Sequence, residues 1–186
     1  MAMICGRSFL FIFVFLQFGC GEHGRKTEEN GATVYKSGSE KRMKISLPDG
    51  TELVMNAGTV IRLSKNFGAK GGELWLEGEA MFDVHGDAMT ELPGDAGKGF
   101  VIHTKNLRIE VQMNGRFKVD AYPDKSGEEV DLLSGKLKVM KSYHSDSDNE
   151  PEAIQTGEMV MINRDIDLME KERMDGTEMK SWDAGN

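Results

Sequence analysis

From Ile45 to Val84 the chain sets apolar residues two apart in short runs. The pairs are Ile45 and Leu47, Leu53 and Met55, Ile61 and Leu63, Leu74 and Leu76, and Phe82 and Val84. Successive side chains of an extended strand point to opposite faces, so this spacing predicts strands with one buried face rather than amphipathic helices. Pro48-Asp49-Gly50, Asn56-Ala57-Gly58 and Gly71-Gly72 punctuate the runs. Proline presets φ and glycine accepts positive φ, so each suits a reversal. The pattern resumes at Phe100–Thr104, and then Leu107, Ile109, Val111 and Met113 mark one strand face. Asn114-Gly115 predicts a type I′ hairpin turn, and Ser134-Gly135 a second two-residue reversal. Met159–Ile162 reads as a closing strand. The expected fold is all-β: a compact single domain of short, mostly antiparallel strands, as a sandwich, barrel or short β-helix. Few or no helices are expected apart from the amino-terminal segment.

Residues 1–20 stand outside that pattern. Arg7 precedes the apolar run Phe9–Phe18, which carries only Gln17 as a polar residue. A run of about 10 residues is short for a bilayer, where about 20 are needed, and fits an export signal. It ends in Phe18-Gly19-Cys20, which resembles a bacterial lipoprotein signal with Cys20 as the lipidated first mature residue. An uncleaved signal anchor and a cleaved soluble product are the alternatives, and all three deliver the domain across the inner membrane. The expected organisation is 1–20 signal or anchor, 21–42 flexible tether, 43–162 all-β domain and 163–186 charged tail. Thr33-Val34-Tyr35 could form a first edge strand within the tether, and Leu168–Arg173 a helical turn within the tail.

The formal net charge of -8 argues against nucleic acid, which needs clustered Lys and Arg. The two cysteines, Cys5 and Cys20, both lie in the leader, so the domain itself has neither a disulfide nor a cysteine metal site. Nucleophile elbows, H-E-x-x-H, P-loops and dinucleotide fingerprints are absent from the sequence. His23, His85, His103 and His144 show no ligand spacing. Asp146, Asp148 and Glu150 alternate, but Pro151 stands where a calcium loop needs its glycine bend, so residues 142–152 read as a solvated acidic loop. Glu77 and Glu79 could pair as carboxylates, yet Gly78 between them better fits a bulge or a close backbone approach. Trp75 lies on the face opposite Leu74 and Leu76. It reads as packed under the Gly86–Lys98 loop, with a binding platform as the alternative. The 13 methionines read as adaptable core filler. No cofactor and no enzymatic activity are expected.

Several segments together resemble a known family. They are Leu47-Pro48-Asp49-Gly50-Thr51, Asn56-Ala57-Gly58-Thr59, Leu76-Glu77-Gly78-Glu79-Ala80-Met81-Phe82-Asp83-Val84, Phe100–Thr104, Phe117–Tyr122, Leu133–Leu137 and Gly157-Glu158. In this order and spacing they resemble the periplasmic FecR domain, the sensor part of iron-uptake-type sigma regulators of Gram-negative bacteria. The motif positions are Leu47, Asp49, Gly50, Gly78, Glu79, Phe82 and Phe117, which read as turn and packing residues.

The resemblance implies an exported, envelope-tethered anti-sigma-type regulator. Such a protein takes a protein partner and passes a signal from an outer-membrane TonB-dependent receptor to an extracytoplasmic-function sigma factor. Its expected place is the periplasmic side of the envelope, with membrane contact through the amino terminus. Departures from the family set a second expectation. Apolar residues begin where the family has a cytoplasmic sigma-binding segment. Ser181-Trp182-Asp183-Ala184-Gly185 stands where an STN-like domain would start, and Asn114-Gly115 replaces the usual gly-thr. A stand-alone structural or ligand-binding envelope lipoprotein that has lost the sigma circuit is therefore the alternative, and an all-β enzyme a third reading.

Overall fold

The computed structural model describes residues 24–29, 31–68, 72–85 and 99–175. Within them run β1 (Arg25–Glu29), β2 (Ala32–Lys36), β3 (Met43–Ser46), β4 (Glu52–Met55), β5 (Val60–Leu63), β6 (Glu73–Val84) and β7 (Val101–His103). They are followed by β8 (Leu107–Met113), β9 (Gly115–Ala121), β10 (Gly127–Leu132), β11 (Lys136–Lys141), β12 (Glu152–Gln155), β13 (Glu158–Asn163) and β14 (Leu168–Arg173). No helix occurs among the described residues. The protein is all-β, and its strands join into one 14-stranded sheet folded over itself as a single, nearly closed domain.

The long strand β6 makes that folding possible. Its first half pairs with β5 and β7, and its second half with β4 and β9. One layer is therefore β1-β2-β5-β6-β7-β8-β11-β12, the other β3-β4-β6-β9-β10-β13-β14. Every pairing is antiparallel except β6 with β7. The bend falls at Gly78, whose φ is 112° and whose missing Cβ would lie 2.6 Å from Thr59 Oγ1. A side chain there would force apart the backbone approach that turns β6 from one layer into the other.

Alternation then fills the interior. Every apolar pair from Ile45 to Val84 noted above is buried, and Leu107, Ile109 and Val111 join the same cluster. Met113 departs from it and is 54% exposed, because the β8–β11 register shifts between Lys136 and Leu137 as the chain leaves the sheet. Glu128 links the layers from within: it accepts hydrogen bonds from Thr104 Oγ1, from Asn106 N (3.0 Å) and from Asn106 Nδ2 (3.0 Å). Its burial nonetheless pushes its carboxyl above the ordinary value.

Three sequence expectations differ from the structure. First, Asn114-Gly115 and Ser134-Gly135 are not hairpin turns. β8 pairs with β7 and β11, while β9 pairs with β6 and β10, so Asn114 carries the chain between layers, and Ser134-Gly135 brings it back. A type I′ turn needs positive φ at both central residues, and neither Asn114 nor Gly115 has it. Glycine is required instead by contact between the two crossings: a Cβ on Gly115 would lie 2.0 Å from the Ser134 carbonyl oxygen. Arg116 N donates to that oxygen at 3.0 Å, and Leu133 N returns a bond to Arg116 O at 2.9 Å.

Second, the expected tether becomes β1 and β2 from Arg25 onward; the strand expected at Thr33-Val34-Tyr35 is there as β2, but it is not an edge. Val34 and Tyr35 are buried, and β2 pairs with β5 on one side and β1 on the other. Third, the expected tail contributes β14, a strand rather than a helical turn. Met-Glu-Lys-Glu-Arg favours helix locally, but pairing along β13 overrides that preference.

Gly115→Ala should destabilise the protein by more than about 2 kcal/mol, whereas Met113→Ala should stay within about 0.5 kcal/mol. Equal urea midpoints for the two variants would contradict the crossing contact.

Candidate protein-interaction site

The motif positions read from sequence are scaffold in this structure. Leu47 is buried in the core. Asp49 accepts bonds from Thr51 N and Thr51 Oγ1, both at 3.0 Å, and closes the β3–β4 turn with Gly50. Its burial outweighs those bonds and raises its carboxyl pKa. Gly78 and Glu79 meet the β4–β5 crossing: Glu79 N donates to Thr59 Oγ1 (3.0 Å), and Asn56 Nδ2 donates to Glu79 Oε2 (2.8 Å). Tyr122 OH adds a bond to Ala57 O (2.8 Å). Phe82 and Phe117 are register partners whose rings stack at 4.8 Å and 8° in the core. Cys20 lies outside the described residues, as do the Gly86–Lys98 loop and Ser181–Gly185.

Residues discussed for chemistry also find places. The bend at Gly78 puts Glu77 opposite Val60 in one layer and Glu79 opposite Asp120 in the other, so the two carboxylates are not neighbours on one flat face. Trp75 is 38% exposed and stacks on His103 at 5.3 Å and 16°. Among the described residues no three His, Cys, Asp or Glu side chains converge on a metal-binding point.

Open surface of a different kind lies at the β13–β14 end. On the outer face of the second layer, β10, β13 and β14 enclose a groove of about 400 Å³. Met161, Ile166 and Leu168 supply its apolar lining; Ile166 is 66% and Leu168 41% exposed. Scattered exposed apolar residues are ordinary, but these share one concavity. Glu129 and Glu170 stand at its margins, with Asp120 paired to Lys125 (2.7 Å). Beside it, Lys118 sits between Glu129 (2.7 Å) and Asp131 (2.5 Å). Burial pushes the Asp131 carboxyl up to about 6 against the pull of Lys118.

The turn that carries Ile166 is pinned from the other layer. Asp167 ends it with a φ of 50°, a conformation that aspartate tolerates better than most residues. Its carboxylate accepts Ser145 Oγ (2.7 Å), Lys141 Nζ (3.0 Å), Ser147 Oγ (3.0 Å) and Tyr143 OH (3.1 Å). The hydrogen bonds from Ser145 and then Lys141 hold the carboxyl well below the usual range. Thus the acidic loop expected to be merely solvated keeps Asp146, Asp148 and Glu150 exposed but is anchored through the buried Ser145. Sequence reasoning passed over the groove, because Ile166 and Leu168 stand among charged residues. Their two-residue spacing is the one local sign of a strand face.

A depressed carboxylate stabilises the fold fully above its unfolded pKa, about 4, and loses that contribution as pH falls toward its folded value. Asp167→Asn keeps the turn geometry but removes the charge. It should lower stability at neutral pH, and the gap to the wild type should shrink below about pH 4. Urea titrations at about pH 7 and about pH 2.5 test this; an identical penalty at both would rule out a charge-dependent clasp.

The fold has clear relatives. Two crystal structures of a "putative anti-sigma factor" from Parabacteroides distasonis ATCC 8503, at 2.50 Å and 1.65 Å resolution, superpose with TM-scores of 0.66 and 0.65. Sequence identity is 26% and 25%, over 83% and 82% of this chain. This chain in turn spans 65% of the length of each of those chains. No curated protein matches it. The family model described as FecR protein matches residues 33–138, which is more than half of the sequence. The chain therefore belongs to the FecR family.

Proposed function

We propose that this protein is an exported, envelope-tethered FecR-type signalling domain that works by binding a protein partner through its β13–β14 end. The observation that carries the reading is a family fold whose motif residues are spent on scaffold, beside an exposed apolar groove along an edge strand. A regulator needs such a surface, whereas a catalyst needs convergent reactive groups. The circuit in this reading starts at an outer-membrane TonB-dependent receptor and ends at an extracytoplasmic-function sigma factor. The anti-sigma description of the two Parabacteroides structures supports that direction. Fold likeness alone does not assign function, so the surface chemistry has to be tested directly.

In this reading the domain acts on the periplasmic side, held to the membrane through Cys20. Palmitate labelling in a bacterial host should be lost in Cys20→Ala; labelling that persists in the variant would refute lipidation at this position. Crosslinking in intact envelopes followed by pull-down should recover a TonB-dependent receptor or a membrane regulator. Recovery should drop at least about tenfold, equivalent to about 1.4 kcal/mol, in Ile166→Lys/Leu168→Lys. Recovering neither class of partner with the wild type would sink the signalling reading in favour of a stand-alone envelope lipoprotein.

A further inference from the structure

The geometry points to β14 as an acceptor for an added strand, and to a partner segment in which basic residues alternate with apolar ones. This inference rests on the β13–β14 end being the partner face.

Backbone direction comes first. Met174 N donates to Gly157 O at 2.9 Å, in register with the β13–β14 ladder. Alternation along a strand then turns the N–H and C=O groups of residues 168, 170 and 172 toward β13, and those of 169, 171 and 173 outward. Among the described residues β14 has β13 as its one strand partner, so the outward groups form an edge able to pair with another chain. Natural edges are commonly blocked by proline, a bulge, extreme shortness or charged side chains, and of these β14 carries only the charges, with Lys171 drawn to Glu152 at 2.9 Å. β14 has neither proline nor a register shift over its six residues.

Side chains then specify what can pair there. Leu168, Glu170 and Glu172 lie opposite Asn163, Met161 and Met159, on the face that carries the groove. An added strand would lay alternate side chains beside this row. Those nearest Glu170 and Glu172 would be basic, and the residues between them, which fall on the opposite face beside Met169, would be apolar. The surrounding charge has the same sign: Lys118 is shared by two carboxylates, Glu129 and Asp131, and Lys125 is taken by Asp120.

Two nearer candidates fit less well. When two copies of β14 pair antiparallel with shared faces, the registers of greatest overlap bring Glu170 against Glu170 or Glu172, and like charges directly opposed are destabilising. Residues 176–186 of this chain carry Glu178 and Asp183 against Lys180, so they lack the basic character that the row selects.

The test uses the domain and two synthetic peptides of equal composition, one alternating Lys with Val and one with Lys and Val in separate blocks. Hydrogen exchange should show the alternating peptide slowing the amides of residues 169, 171 and 173. Titration should show it binding at least about tenfold more tightly than the block peptide. Arg173→Pro removes an outward N–H without touching the β13 ladder, and Glu170→Lys/Glu172→Lys reverses the charge. Each should abolish the preference while leaving the urea midpoint nearly unchanged. Equal binding of both peptides, binding that survives Arg173→Pro, or no binding at all would overturn the proposal. Dimerisation that Arg173→Pro abolishes would assign the edge to a second copy. Slow exchange at 169, 171 and 173 without peptide, lost on removing residues 176–186, would assign it to the chain's own end. Either result overturns the basic-strand partner. None of these outcomes bears on whether the envelope pull-down recovers a receptor, so the two readings fail separately.

Discussion

The contact between Gly78 and Thr59 is the constraint on which the two-layer architecture depends. A strand of 12 residues would ordinarily stay within one layer, and β6 does not. Its backbone passes so close to Thr59 that no Cβ fits, and Thr59 Oγ1 both receives the Glu79 N–H and donates to the Glu79 carbonyl. One threonine hydroxyl therefore engages both backbone groups of Glu79 at the bend, and Asn56 N donates to the same carbonyl at 2.8 Å. Asn56 and Glu79 close the same corner through their side chains.

The other crossings repeat that solution with different residues. Hairpins β7–β8, β9–β10, β11–β12 and β13–β14 alternate between the layers, and each passage between layers must bury polar backbone near a neighbour. At Gly115 and Gly135 two passages lie against each other and exchange hydrogen bonds through Arg116, Leu133 and Ser134. The layers are tied at the opposite end by Glu128 to the β7–β8 turn and by Asp167 to the end of β11 and the loop after it. Large aromatic and aliphatic side chains then fill a core that has no room for alternative registers.

Scaffold and proposed recognition surface have separate addresses in this protein. The residues that carry the family likeness, such as Asp49, Gly78, Phe82 and Phe117, are turns, close approaches and core. The apolar lining of the groove and the edge strand lie at residues 161–173, beyond the segment matched by the family model, whereas Asp120, Lys125 and Glu129 on the groove's other side lie within it. Requirements of the fold bind the first set tightly, since a changed side chain would have nowhere to go. Surface chemistry at the second set is free to suit a particular partner without disturbing the core.

The sequence by itself determined the all-β class, the inward face of nearly every central strand and the positions where the chain must turn. These follow from side-chain alternation and from glycine and proline chemistry, which act over a few residues. It could not say where a turn leads. Asn114-Gly115 has the residues of a hairpin, yet the strands on either side find partners in different layers. Residues 25–36 and 168–173 look like tether and tail, because a charged strand shows its character only when a neighbour supplies the ladder. Partner choice in a sheet is non-local, and only the tertiary structure decided it. The same decision brought Met161, Ile166 and Leu168 together along an edge, and so created the surface on which the proposed function rests.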